Sequence, residues 1–223
     1  MPSKDAGRWP AGPRLTEPLD DAPRPLGDGV SWSGVDAGPG VAFSGSASDY
    51  EIIGSRLHGL RLTGATFEGG RWADVLVEDG ELSGLVLEGP SLVRVAFRHC
   101  RMSGLVAIGA RAQDVHFVDC RLDDANFRGS SLERCRFEDC DLRGADFYGA
   151  RFAPGALRRC RLAGAEFGGA ACDGLDLRGS DLEGVRGATS LRRTTISQGQ
   201  VVAFGLALVA AFEVSVEDDD EAQ

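Results

Sequence analysis

The chain has 223 residues, 43% of them apolar and 26% charged, a composition that can bury a sizeable core and is not that of a disordered chain. Its 31 glycines, with few helical apolar stripes, favour short strands and turns over a helix bundle. The formal charge of −10 sits at the ends: residues 1–54 carry −4, residues 55–186 only −2 and residues 187–223 another −4, so the balanced body disfavours direct nucleic-acid binding.

The opening stretch 1–29 holds six of the nine prolines and no apolar run, so it is predicted to be a disordered Pro-rich tail without a secretory leader. The longest apolar run, residues 201–212, is too short to span a bilayer. A cytoplasmic protein with no membrane partner is the expectation.

From residue 30 to about 190 the pattern changes. Residues 30–50 keep a ragged apolar pattern and are assigned to the start of the first coil. From Ile52 every fifth residue is apolar through Leu182, passing through Phe67, Phe97, Phe137, Leu142 and Phe167. Two residues before each of these stands a small or modestly apolar residue such as Ala65, Val95, Cys120 or Ala145. A helix repeats near 3.6 and a strand near 2, so neither alone keeps a period of five facing inward. A three-residue strand with a two-residue corner does, because its first and third side chains share a face. Glycines such as Gly64 and Gly144 stand at the corners. The chain therefore coils about an apolar axis, an all-β solenoid. A longer period lies inside the short one: Cys100, Cys120, Cys140 and Cys160 are 20 apart, as are Phe97, Phe117 and Phe137, so four units make one coil.

The units "ANFRG" (125–129), "CDLRG" (140–144), "ADFYG" (145–149) and "SDLEG" (180–184) resemble the pentapeptide-repeat proteins. That resemblance, over roughly residues 50–186, implies a right-handed quadrilateral β-helix with one coil per four units. At about 4.8 Å per coil, some 6.5 coils make a rod on the order of 30 Å long.

After the repeat, "SQGQ" at 197–200 has the form of a capping box. It predicts a helix over about 198–212, apolar almost all round and so too apolar to be buried by one rod end alone. Gyrase-binding members of the resembled family join two rods into a dimer through a C-terminal helical segment. The resemblance carries that role to Val201, Phe204, Leu206, Leu208, Val209 and Phe212, the alternative being a helix that only caps its own rod. Residues 191–216 are thus read as capping or dimerisation helix plus a short strand at Val214 and Val216, and 217–223 as a solvated acidic tail.

Nothing in the pattern points to catalysis or a cofactor. The six cysteines occupy inward registers while His58, His99 and His116 face outward, so thiols and imidazoles cannot share a metal. The outward column Asp79, His99, Asp119, Asp139, Arg159 places a histidine among carboxylates, but a flat rod face offers no pocket that excludes water. A thiol redox or metal sensor would need an accessible cysteine column.

Some members of the resembled family mimic duplex DNA and bind type II topoisomerases such as gyrase. On the side of the rod carrying Phe67, Leu87, Ala107, Phe127, Phe147 and Phe167, four carboxylates, Glu68, Glu88, Asp146 and Glu166, stand against Arg128. This is the candidate acidic interaction face. The other three sides are close to neutral, which suits a second reading, a rigid dimeric scaffold for another protein partner.

Overall fold

A computed structural model of the chain describes residues 10–15, 19–21, 26–215 and 217. Residues 30–190 wind into a four-sided β-helix of stacked coils. Within these coils every strand pairing is parallel and joins residues 20 apart, as in Trp72 with Leu92 and Phe97 with Phe117. The period of five sets this geometry: each unit offers one large and one small inward side chain before it turns.

Side one buries Trp32, Ile52, Trp72, Leu92, Ala112, Leu132, Phe152 and Cys172; side two buries Leu57, Val77, Phe97, Phe117, Phe137, Leu157 and Leu177. Side three buries the column from Leu62 through Met102 to Leu182, and side four Ala47, Phe67, Leu87, Ala107, Phe127, Phe147 and Phe167. Sides one and two are the more regular. There the strands Arg71–Glu78, Ser91–Arg98 and Arg111–Val118 run unbroken around the corner between them. Side three is held by single bridges such as Arg101 to Arg121 and Asp141 to Arg161. Side four begins as paired strands Ser46–Ser48, Thr66–Glu68 and Val86–Glu88, then continues as single bridges.

The apolar axis contains two aromatic stacks. Phe97, Phe117 and Phe137 lie face to face at 4.9 and 4.5 Å on side two, and Phe127, Phe147 and Phe167 at 5.2 Å each on side four. The stacks meet edge-on, with Phe127 and Phe137 5.7 Å apart. Offset and edge geometries of this kind add to simple burial.

The corners are of two kinds, and glycine, expected at corners such as Gly64 and Gly144, marks one of them. Between sides three and four, and between four and one, glycine predominates at positive φ, as at Gly64 (67°) and Gly109 (63°). The other two corners carry polar residues in the same left-handed conformation: Asp74, Arg94, Asp114 and Arg134 between sides one and two, and Asp79, His99, Asp119, Asp139 and Arg159 between two and three. That conformation costs a non-glycine residue about 1–2 kcal/mol. Ion pairs between successive coils offset part of it. At Gly70 the reason for glycine is close approach, since a Cβ there would lie 2.3 Å from the Tyr50 ring.

Residues 30–50 form a complete first coil: Ser31–Ser33 pairs with Glu51–Ile53, and Ser46–Ser48 with Thr66–Glu68. Of the stretch expected to be a disordered tail, residues 1–9, 16–18 and 22–25 lie outside the described residues. Asp20–Asp21 pairs with Val35–Asp36, and residues 10–15 lie against the corner between sides one and two.

At the far end the capping box forms as expected, with Ser197 and Gln200 bonding reciprocally. Gln200 is buried, and its Nε2 donates to the carbonyls of Leu177 (2.8 Å) and Ser180 (2.7 Å), tying the helix start to the last coil. Helix α1, Val201–Ala211, follows. No strand forms at 214–215, contrary to the alternating Val214 and Val216; Val216 lies outside the described residues, as does the acidic tail except Glu217. The reason is local. Glu213 turns to φ 54°, and the amides of Glu213 and Val214 donate to the carbonyls of Ala210 and Val209. This is a Schellman closure of the helix, which directs those amides back onto α1.

Candidate interaction faces

Three surfaces follow from this frame: side four, the polar corners and the outer face of α1. No helix among the described residues is long and apolar enough to cross a membrane.

Side four brings the four predicted carboxylates onto one side but in two columns and two states. Glu68 and Glu88 are exposed, face each other in register on adjacent coils, and have no cation paired with them among the described residues. Like charges placed directly opposite each other are destabilising, so packing does not account for the pair. Asp146 and Glu166 are half-buried and neutralised. Asp146 accepts from Arg128 at 2.8 Å and from the Tyr148 amide at 2.8 Å; Glu166 lies 3.5 Å from Arg186 and accepts the Gly168 amide at 2.6 Å. Between the free and paired carboxylates stand Ile108, 51% exposed, and Tyr148, 49% exposed, with the Arg128 guanidinium 4.4 Å over the tyrosine ring. The outward column thus reads Glu68, Glu88, Ile108, Arg128, Tyr148. Ile108 was missed because a single outward apolar residue is unremarkable until its neighbours one coil away are known.

The corner between sides one and two is a ladder of alternating charge. Arg94 grips Asp74 with two bonds of 2.6 Å, and Arg134 grips Asp114 with bonds of 2.8 and 2.9 Å. These guanidiniums hold both carboxyls below the usual range against the opposing effect of burial, and a backbone amide adds to the effect at each. The corner between sides two and three is more open. Arg159 holds Asp139, lowering its pKa, while His99 sits 3.8 Å from both Asp79 and Asp119, beyond hydrogen-bond distance. Next to this corner a shallow groove of about 390 Å³ is lined by Asp119, Arg121, Asp139, Asp141, Arg159 and Arg161. Asp139 and Asp141 there are already paired with arginines, while Asp119 faces His99. At Asp176 burial acts to raise the pKa, but the Arg178 and Arg158 guanidiniums outweigh it and hold the group at about 2. His116 is pushed down by burial despite the Glu138 carboxylate 3.2 Å away.

All six cysteines are free and buried. Burial pushes the thiols of Cys135 and Cys172 up to about 12, far from the reactive thiolate range. Among the described residues no group of three potential ligands could hold a metal ion.

Of the predicted dimer residues, Val201, Leu206 and Phe212 are exposed at 56, 65 and 66%, while Phe204, half-buried, packs on the rod end and Leu208 and Val209 are half-buried. Val202, not among the predicted residues, is the most exposed of all at 75%. A largely apolar cleft of about 350 Å³ separates the Leu206, Ala207, Ala210 and Ala211 side of α1 from Gly184–Gly187 of the rod.

Five-residue units, four to a coil, with paired polar ladders outside and stacked phenylalanines inside, define a β-helix built of pentapeptide repeats. Residues 90–186 carry pentapeptide repeats: the family model for the pentapeptide repeat region matches residues 90–167, and the model described as pentapeptide repeats (8 copies) matches residues 156–186. Two trypsin-treated forms of QnrB1, a plasmid-mediated fluoroquinolone resistance protein, share its fold. One superimposes with a TM-score of 0.54 at 19% identity, covering 86% of this chain and 96% of that one. The other gives 0.52 at 20% identity, covering 87% and 93%. HetL, a pentapeptide repeat protein involved in heterocyst differentiation regulation from the cyanobacterium Nostoc, matches at 15% identity over 75% of this chain and 87% of its own, with a TM-score of 0.32. No curated protein sequence matches the chain.

Proposed function

We propose that the chain is a non-catalytic, cytoplasmic binding rod, dimeric through α1, that engages a type II topoisomerase such as gyrase through side four. The observation that carries this reading is the unpaired Glu68 and Glu88 beside Ile108 and the Arg128–Tyr148 stack. Tyrosine and arginine at the centre of a patch, with charge to one side, are the composition of a protein-binding hot spot. The two carboxylates suit a partner that presents basic residues to the DNA backbone. The fold shared with QnrB1 supports the choice of partner class.

Mimicry of DNA along the whole rod is not part of the proposal. A mimic needs unpaired carboxylates at intervals like those of phosphates, whereas Asp74, Asp114, Asp139, Asp146 and Asp176 each hold an arginine. On side four, unpaired carboxylate charge is therefore confined to the Glu68 and Glu88 end. The same arginine pairing favours a second reading, a dimeric scaffold whose mixed-charge sides meet a different protein.

Supercoiling by gyrase, assayed with the purified chain titrated in and with or without a fluoroquinolone, separates the two. Inhibition or protection at micromolar concentration supports topoisomerase engagement. No effect at tens of micromolar rejects it and leaves the scaffold.

A further inference from the structure

The corner between sides one and two has an occupant. The Ala11 amide donates to Asp114 Oδ1 at 3.2 Å, and the Arg14 amide to Asp74 Oδ1 at 3.0 Å. The two acceptors are built alike. In each, an arginine from the next coil takes both carboxylate oxygens in a fork, Arg94 on Asp74 and Arg134 on Asp114, which fixes the carboxylate and leaves Oδ1 a further lone pair aimed outward. The column continues through Gly54, Asp74, Arg94, Asp114, Arg134, Pro154 and Gly174, so Asp74 and Asp114 are its two acceptor carboxylates.

The spacings agree. Asp74 and Asp114 are two coils apart, about 9.6 Å along the rod at about 4.8 Å per coil. Their donors are three residues apart, and three residues of polyproline II helix advance about 9.3 Å and complete one turn, so both amides face the same way. The segment reads Pro10-Ala11-Gly12-Pro13-Arg14, with a proline directly before each donor. Proline fixes φ near −65° and suits that extended helix, so the ordering entropy of the segment is reduced before it docks. The Arg14 charge adds a favourable interaction with Asp74.

We propose that this corner is a recognition strip for an extended proline-rich peptide, and that residues 10–15 are its tethered ligand. The strip reads backbone amides at a spacing of three, each preceded by a proline, antiparallel to the direction in which the coils advance. While the tether is docked the corner is closed to other chains, so the N-terminal segment gates access to it. The inference is independent of the topoisomerase reading, which concerns side four.

The test uses the full chain and the double variant Ala11→Pro with Arg14→Pro. The variant deletes both donor amides and retains the polyproline geometry, and the rod's circular dichroism should be unaltered. In the native protein the amides of Gly12 and Leu15 should show order parameters near ~0.8, as for rigid backbone, falling below ~0.6 in the variant. A synthetic peptide with the sequence of residues 9–16, added in trans, should then give saturable shifts at the Asp74 and Asp114 resonances of the variant. The native chain should show them at least several-fold more weakly, because the tether competes at millimolar effective concentration. Gly12 and Leu15 as mobile in the native chain as in the variant would overturn the docked tether. Absence of saturable shifts in the emptied variant at several millimolar peptide, on the same affinity scale, would overturn the recognition strip.

Discussion

Replacing Phe137 with alanine removes the centre of the aromatic axis. Phe137 is fully buried, stacks on Phe117 at 4.5 Å, and meets Phe127 and Phe147 edge-on at 5.7 and 6.2 Å. A buried Phe→Ala change costs about 3–5 kcal/mol, and ring contacts worth roughly 0.5–1.5 kcal/mol each beyond burial place this site at the upper end. That is a large share of the ~5–15 kcal/mol expected for a domain. In a stacked rod each coil contacts only its neighbours, so a mid-rod cavity also weakens the coupling between the two halves. Phe167 touches one ring of its column, Phe147 at 5.2 Å, so Phe167→Ala should cost about 1 kcal/mol less. Urea unfolding followed by circular dichroism gives both values. A loss under ~1 kcal/mol at Phe137, or a larger loss at Phe167, would refute the stacked-column account.

Four further outcomes follow. Gln200→Ala should cost about 1–3 kcal/mol by removing a bond to the Leu177 carbonyl and leaving the Ser180 carbonyl unsatisfied at the rod end, read as a lowered urea midpoint; an unchanged midpoint would contradict the tie. Val202→Asp with Leu206→Asp should give monomers by light scattering with the rod intact, and an unchanged dimer mass would reject α1 as the interface. The native chain should leave all six thiols unreacted with a thiol reagent until denatured, whereas rapid labelling of native protein would contradict the inward register. The pH profile has two parts. Asp74, Asp114, Asp139 and Asp176 are held down in the fold, so their contribution is present above the unfolded carboxyl pKa of about 3.9 and is lost as pH falls toward 2. His116 is also held down, so the unfolded chain takes up its proton first below about 6.5, and a shallow fall in Tm from there should vanish in His116→Gln. A Tm that rises on acidification below pH 4 would contradict the first part, and an unchanged slope in His116→Gln the second.

The rod was legible because its core rule is local. Inward positions such as Phe97, Leu142 and Phe167 are apolar at a fixed spacing, and no tertiary knowledge is needed to see it. The capping box at Ser197 and Gln200 was legible for the same reason, although the grip of Gln200 on the last coil depends on carbonyls 20 or more residues away. The ladder Asp74, Arg94, Asp114, Arg134 was readable in principle by writing the chain in rows of 20, and its alternating signs are the signal. The pairing of Asp146 and Glu166 with arginines was hidden from a charge count by side, since it depends on which arginine reaches which oxygen. Residues 10–15 read as tail because proline-rich composition speaks against a packed core. It says nothing about whether a fixed row of acceptors elsewhere matches the segment's spacing.

Direct binding of purified gyrase, comparing the native chain with Glu68→Arg plus Glu88→Arg and with Glu183→Arg on side three as control, decides whether side four is the contact. The account predicts micromolar or tighter binding by the native chain and the control, weakened at least ~10-fold by the double reversal on side four, a change of about 1.4 kcal/mol. Equal binding by all three proteins would contradict side four as the contact, and no binding by the native chain would contradict topoisomerase engagement itself.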